Sequence, residues 1–254
     1  MSHLQVNYDE ISSDYNQRYP SAFHWDRGDA LLELARQIDA TTVLEVGCGT
    51  GYWLNLLHQA TPQLYGLDFS AGMLAQAKGQ PAPLKLTRGT ATRLPFRSDA
   101  FDLLYCVDAI HHFGDHVAFV NEAFRVLKPG GMLAVIGHDP HSNDFNWYFY
   151  DYFDTVYETD LRRYPSSEGL KEMMKRAGFQ QIEQRNVEHV LSIHEGEQVL
   201  SDPFIKQNAT SQLALLSRET YEAGIERIKA DLKKDIRITF NSDFWVRMIA
   251  GMKP

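Results

Sequence analysis

Glu45, Gly47, Gly49 and Gly51 alternate through Val43-Leu44-Glu45-Val46-Gly47-Cys48-Gly49-Thr50-Gly51. An apolar run that turns at glycines into a helix exposes backbone N–H groups to a carboxylate or phosphate. It also lets a ligand press on the main chain. Gly66-Leu67-Asp68 ends a second apolar run. Its acid lies near the spacing from the glycine loop, about 20 residues, of a ribose-binding carboxylate in nucleotide-binding sheets. Together these residues indicate an adenosine-like ligand across the ends of two strands. The glycine spacing argues against a dinucleotide. The third small residue of that fingerprint would fall on Tyr52, which is bulky, and the third glycine comes one residue early. Glu45 is placed to accept hydrogen bonds from the ligand or from the loop. His111 and His112 follow a later apolar run, and His138, Asp139 and His141 follow the next. Histidine near neutral pH suits a general base. His111 and His112 have two readings, a base or a structural, cofactor-shaping pair. His138, Asp139 and His141 can be a base, a metal site or a hydrogen-bonded loop. One loop supplies at most three ligands, so a metal is not assigned.

These groups need a scaffold. Strands are expected at Thr42–Val46, Gln63–Leu67, Leu84–Thr87, Phe101–Val107 and Met132–Ile136. Helices are expected at Arg27–Gln37, Tyr52–Ala60, Ala71–Lys78, Val117–Leu127 and Ser166–Ala177, with Lys128-Pro129-Gly130-Gly131 stopping the fourth. The alternation implies a parallel sheet covered on both faces. Phe179–Ile193 and Ile236–Met252 read as extended and can pair antiparallel at the sheet edge. The polar, helical Glu195–Lys234 stretch is inserted between them. The aromatic run from Phe145 to Tyr157 is either a helix burying one face on the sheet or a wall of a pocket.

Val43–Gly51 resembles the first motif of the seven-strand, Rossmann-like S-adenosylmethionine-dependent methyltransferases. Gly66-Leu67-Asp68-Phe69-Ser70 with Met73 resembles the second, and Gly89–Phe96 the adenine-side motif. Phe101–Phe113 is similar to the fourth strand, and Leu127-Lys128-Pro129-Gly130-Gly131 to the turn into the fifth. The similarity spans about residues 41–140 and is nearest to the ubiquinone/menaquinone-biosynthesis branch. It implies an α/β, doubly wound, mostly parallel seven-stranded sheet with an antiparallel last strand. It also implies methyl transfer from S-adenosylmethionine to a small-molecule acceptor. Carried over by position, Asp68 takes the ribose hydroxyls, and Phe69 is a further cofactor-binding position. Gly47, Cys48 and Gly49 line the methionine portion through backbone, and Glu45 and Gly51 are further cofactor-binding positions. Met73 packs on the adenine, Thr90 and Ala91 flank its polar edge, and Val107 and Asp108 face the sulfonium. Thr90 stands where the family commonly has an acid. His111, His112 and His138 are the candidate catalytic residues. Tyr15, Arg18 and Tyr19 are expected in a cap closing over the cofactor.

One methyltransferase domain is expected over 1–254. It comprises a cap (1–40), a cofactor core (41–140), an acceptor-side segment (141–193), a helical insertion (194–234) and a final strand (235–254). The 44% hydrophobic content suits a globular core, and a net charge of −8 without a basic run argues against a nucleic-acid partner. Cys48 and Cys106 read as buried thiols rather than a disulfide framework. No signal peptide or membrane span is visible, which suggests a cytoplasmic protein. The insertion reads as a solvated lid or the contact of a homodimer. Two rival functions stand beside methyl transfer: a non-catalytic S-adenosylmethionine-binding regulator or assembly protein, and an NAD(P)-dependent oxidoreductase.

Overall fold

A computed structural model describes residues 6–11 and 25–254. The helices and strands in chain order are α1 (Tyr8–Ile11), α2 (Asp26–Gln37), β1 (Thr42–Val46), α3 (Tyr52–Leu57), β2 (Gln63–Asp68), α4 (Ala71–Ala77), β3 (Lys85–Arg88), β4 (Phe101–Val107), α5 (His116–Val126), β5 (Leu127–His138), β6 (Asn146–Trp147), α6 (Phe149–Tyr152), α7 (Val156–Arg163), α8 (Ser167–Ala177), β7 (Gln180–Glu195), α9 (Ser211–Ala214), α10 (Arg218–Lys234) and β8 (Thr239–Met252). Among the described residues one sheet runs β3-β2-β1-β4-β5-β8-β6, with β7 also paired to β8. Pairing is parallel from β3 through β5 and antiparallel for β6, β7 and β8. The expected fold class is therefore present, with the two-residue β6 as an eighth strand.

The parallel strands are apolar because both of their faces are covered. Side-chain alternation divides β1 between two cores. Val43 packs with Leu103, Tyr105 and the helices α2 and α3. Leu44 and Val46 pack with Leu104, Phe119 and Met174 on the side of α5 and α8. Helix ends follow local chemistry. Asp115 caps α5 by accepting from Ala118 N–H, and Ser166 caps α8 by accepting from Gly169 N–H. Gly178, at φ 104°, closes α8.

One boundary is corrected, and the pairing expected at the sheet edge is present. Lys128-Pro129-Gly130-Gly131 does not separate helix from strand, because β5 already starts at Leu127. Gly130 adopts φ 80° there and donates to the Lys253 carbonyl, within an irregular stretch where the register shifts between Phe101 and Leu103. The paired segments β7 and β8 do meet, from Gln180 opposite Met252 to Glu195 opposite Thr239. On its other side β8 pairs with β5 from Val246 to Met252 and with β6 at Ser242 and Asp243, which leaves β7 as the outer strand there.

The aromatic run is not one helix. It forms β6, α6 and the start of α7 and buries Tyr148, Phe149 and Phe153 in a third core. That core is completed by Val199, Leu213 and Ile228 of the insertion and by Phe240 of β8. Each buried aromatic contributes roughly 1.5–3 kcal/mol of transfer free energy. The insertion thus has an apolar inner side that its polar sequence hides. No helix of the described residues is long and apolar enough to cross a membrane.

Candidate active site

Gly47 and Cys48 donate their N–H groups to the Leu67 carbonyl at 2.7 and 3.0 Å, which folds the loop after β1 over the end of β2. Gly47 takes φ 75° there, and a Cβ would stand 2.7 Å from that of Ala109. Gly51 takes φ 74° to enter α3. At the end of β2, Asp68 closes the loop from the other side. Its Oδ2 accepts from Gly49 N–H and its Oδ1 from Ser70 N–H, both at 2.8 Å. Each oxygen retains a lone pair for a further donor. Burial pushes the Asp68 carboxyl up, against the backbone N–H groups of Ser70 and Gly49, which pull it down.

A cavity of about 490 Å³ opens at the carboxyl ends of β1, β2 and β4, the place where such sheets bind ligands. Its wall contains Gly47, Gly49, Asp68, Phe69, Met73, Thr90, Ala91, Val107, Asp108 and His112. The volume suits a ligand the size of a nucleoside derivative. The donor set also fits S-adenosylmethionine: a carboxylate with spare lone pairs, glycine backbone facing open space at Gly49, and the buried Met73 as an apolar wall.

Other expected residues stand back from the wall. Glu45 is 1% exposed and accepts from Tyr105 Oη at 3.1 Å. Alternation along β1 sends it with Val43 into the core facing α3, and burial pushes its carboxyl well up. Cys48 and Gly51 belong to the loop but not to the cavity wall, and both Cys48 and Cys106 are buried free thiols. His111 is buried behind His112 and stacks on Tyr164 at 4.2 Å. His138 is enclosed by Phe145, Trp147, Tyr164 and Phe244. Asp139 accepts from His141 N–H at 2.9 Å and Ser167 N–H at 2.8 Å, while His141 Nε2 meets the Tyr164 carbonyl at 3.0 Å. This loop spends the polar groups of Asp139 and His141 on itself and on the segment joining α7 to α8. Among the described residues no group of three or more His, Cys, Asp or Glu is arranged to hold a metal. Tyr15, Arg18 and Tyr19 lie outside the described residues.

The structure adds residues that the sequence reading did not select. Tyr8 and Asp9 of α1 reach the cavity wall. Asp9 accepts from Ser70 Oγ at 2.5 Å and from Gly72 N–H at 2.8 Å, and these two bonds hold its carboxyl down. Tyr8 Oη lies 2.7 Å from His112 Nε2. Arg27 of α2 is buried and joins two acids. Its Nη1 donates to Asp108 at 2.5 Å, and its Nε and Nη2 clasp Glu188 of β7 at 2.7 and 2.5 Å. Asp108 sits at φ 47°, a strained backbone at the mouth of β4. Arg27 and Glu188 are 161 positions apart, so no sequence spacing could have paired them.

The methyltransferase domain model matches residues 44–135. Demethylmenaquinone methyltransferase of Oceanobacillus iheyensis is 29% identical over 210 residues, 72% of this chain and 86% of the relative. The Staphylococcus aureus protein of the same name is 32% identical over 170 residues, 58% of this chain and 70% of the relative. Among solved structures, phosphoethanolamine N-methyltransferase 2 of Haemonchus contortus in complex with S-adenosyl-L-methionine superimposes with a TM-score of 0.60 at 22% identity. That match covers 97% of this chain and 57% of the other.

Proposed function

Because this chain belongs to the S-adenosylmethionine-dependent methyltransferase family, we propose that the cavity at the ends of β1, β2 and β4 is its donor site. The enzyme transfers a methyl group from S-adenosylmethionine to a small-molecule acceptor. The cofactor supplies a methyl group on a positively charged sulfur, so the protein's own task is to hold and align donor and acceptor and keep water out. In this reading Asp68 holds the ribose hydroxyls with its spare lone pairs. The Gly47 and Gly49 backbone faces the methionine portion. Met73, Thr90 and Ala91 take the adenine, and Val107 and Asp108 lie on the sulfonium side. The single observation that carries the reading is Asp68, tied to Gly49 N–H at 2.8 Å on the cavity wall. Arg27 fixes Asp108 in place from behind.

The acceptor enters past Tyr8, His112 and Phe113, which line the same cavity. The curated relatives are named for demethylmenaquinone, and a reduced, demethylated quinone ring is the acceptor this reading favours. Calorimetric titration tests the donor half. S-adenosylmethionine should bind and NADH should not. Asp68→Ala should weaken binding by about 1.5–3 kcal/mol, the scale of hydrogen bonds to a charged group. Unchanged affinity would remove Asp68 from the ribose. An acceptor panel tests the other half: methylation of amines alone, with no product from the reduced quinone, would exclude the quinone assignment.

A further inference from the structure

The two carboxylates that meet at Arg27 differ in their surroundings. Asp108 is part of the donor-cavity wall, and its side chain is 36% exposed. Glu188 is buried and is not part of that wall. They are also held differently. Asp108 accepts from Nη1–H at 2.5 Å. Glu188 accepts from Nε–H and Nη2–H side by side, at 2.7 and 2.5 Å, and from the Arg27 backbone N–H at 3.3 Å. The side-by-side pair is the stronger geometry.

Strand β7 is shaped to deliver the Glu188 carboxylate. Arg185 and Asn186 lie opposite Met248 and Arg247, so an unbroken register would set Val187 opposite Val246. A bulge sets Glu188 there instead. Directly opposed side chains share a face of the sheet. Val246 lies in the core that holds Leu31, Leu34 and Ala35 of α2. The bulge therefore turns Glu188 toward α2 and Arg27, and bulges re-aim side chains in this way beside binding sites. Burying a carboxylate is costly even when it is paired. Arg27 holds Asp108 with a nitrogen that Glu188 does not touch, so what Glu188 adds to the set is charge. One guanidinium and two carboxylates carry a net charge of −1. Without Glu188, Arg27 would cancel Asp108 at the cavity wall.

We propose that Glu188 is a charge-balancing, positioning residue of the donor site: it neutralises Arg27, so that Asp108 is held in place without losing its attraction for the cationic sulfonium of S-adenosylmethionine. The proposal rests on the donor-site reading above. Its consequence is selection by charge. When the methyl group leaves, sulfur keeps the electron pair of the S–CH3 bond and becomes a neutral thioether. The net negative set then loses its cation, and the site holds the product less tightly relative to the donor. Glu188 acts through Arg27 and Asp108 and touches neither ligand.

The test is calorimetric titration of the full chain with S-adenosylmethionine and with S-adenosylhomocysteine. The quantity read is the ratio of the S-adenosylhomocysteine Kd to the S-adenosylmethionine Kd. Glu188→Gln keeps the side chain's size and removes its charge, and the ratio should fall about fivefold or more. Arg27→Met/Glu188→Met removes both opposed charges and leaves the set at −1, so the ratio should return to within about twofold of wild type. A merely structural role predicts the opposite, because the double variant loses the whole clasp. An unchanged ratio in Glu188→Gln, or a ratio in the double variant no higher than in the single one, overturns the proposal. If Glu188→Gln does not fold, the double variant decides, since apolar replacement of a buried ion pair is commonly tolerated. A wild-type ratio there supports the proposal, and a larger change in either direction overturns it. If the wild type binds neither ligand, the donor-site reading fails and takes this proposal with it. A lost contrast among variants that still bind counts against the proposal alone.

Discussion

His138 shows how far a residue's role depends on its surroundings. Its ring is packed among Phe145, Trp147, Tyr164 and Phe244, with Nε2 buried and unpartnered. Burial pushes its pKa down from 6.5 to about 4. Asp108 and Asp139 oppose that movement, and Arg27 and Arg163 reinforce it. The ring is therefore neutral at pH 7. Between pH 6.5 and 4 the unfolded chain binds the proton that the folded chain refuses, so this group's contribution is complete above pH 6.5 and is lost as pH falls toward 4. The stability of wild type relative to His138→Phe should accordingly fall by up to about 3 kcal/mol between pH 7 and 4 in urea unfolding. A difference independent of pH would show that His138 titrates normally. That the histidines lie near the site was legible in the sequence. Which of them touches the cavity was not, because the residues that bury His111 and His138 come from distant segments. Period-two alternation along β1 puts Glu45 on the side of Val43, but that Tyr105 would take up its carboxylate there was decided only by packing.

At the scale of the element, the strand–loop–helix unit of β1 and α3 was readable almost to the residue, since glycine spacing and apolar runs act locally. Its glycines nevertheless differ in what they do. Gly47 and Gly49 both have positive φ, at 75° and 51°. A Cβ at Gly47 would press on Ala109 at 2.7 Å and Phe113 at 3.2 Å, whereas at Gly49 nothing lies within 4 Å. Gly47→Ala should cost about 1–3 kcal/mol more than Gly49→Ala in chemical unfolding, the overpacking penalty beyond backbone strain common to both. Gly49→Ala should instead act on ligand affinity, because its methyl group enters the donor cavity. Equal stability losses would mean that the Gly47 turn is looser than its contacts indicate. The start of β5 was misplaced for a related reason. Pro129, Gly130 and Gly131 carry the same local signal whether they end a helix or shape an irregular strand, and the bond from Gly130 N–H to Lys253 settles which.

At the scale of the molecule, the insertion and the aromatic run form a body of their own on the far end of β8. Gly224 lies inside α10, where propensity alone favours alanine by about 1 kcal/mol. A Cβ there would overlap the Phe153 ring. Gly224→Ala is therefore expected to lower the thermal midpoint, against the propensity rule, and a raised midpoint would show that this third core is loosely packed. The sequence by itself determined the parallel sheet, the antiparallel return of β7 and β8, the glycine loop and the partnership of that loop with Asp68. All of these rest on short-range periodicity and on spacings within one or two elements. Tertiary structure alone decided the Asp108–Arg27–Glu188 link and the arrival of Tyr8 and Asp9 at the cavity. Those contacts join residues far apart in the chain. Their energies depend on burial and on the distance between charges, and neither exists until the elements pack.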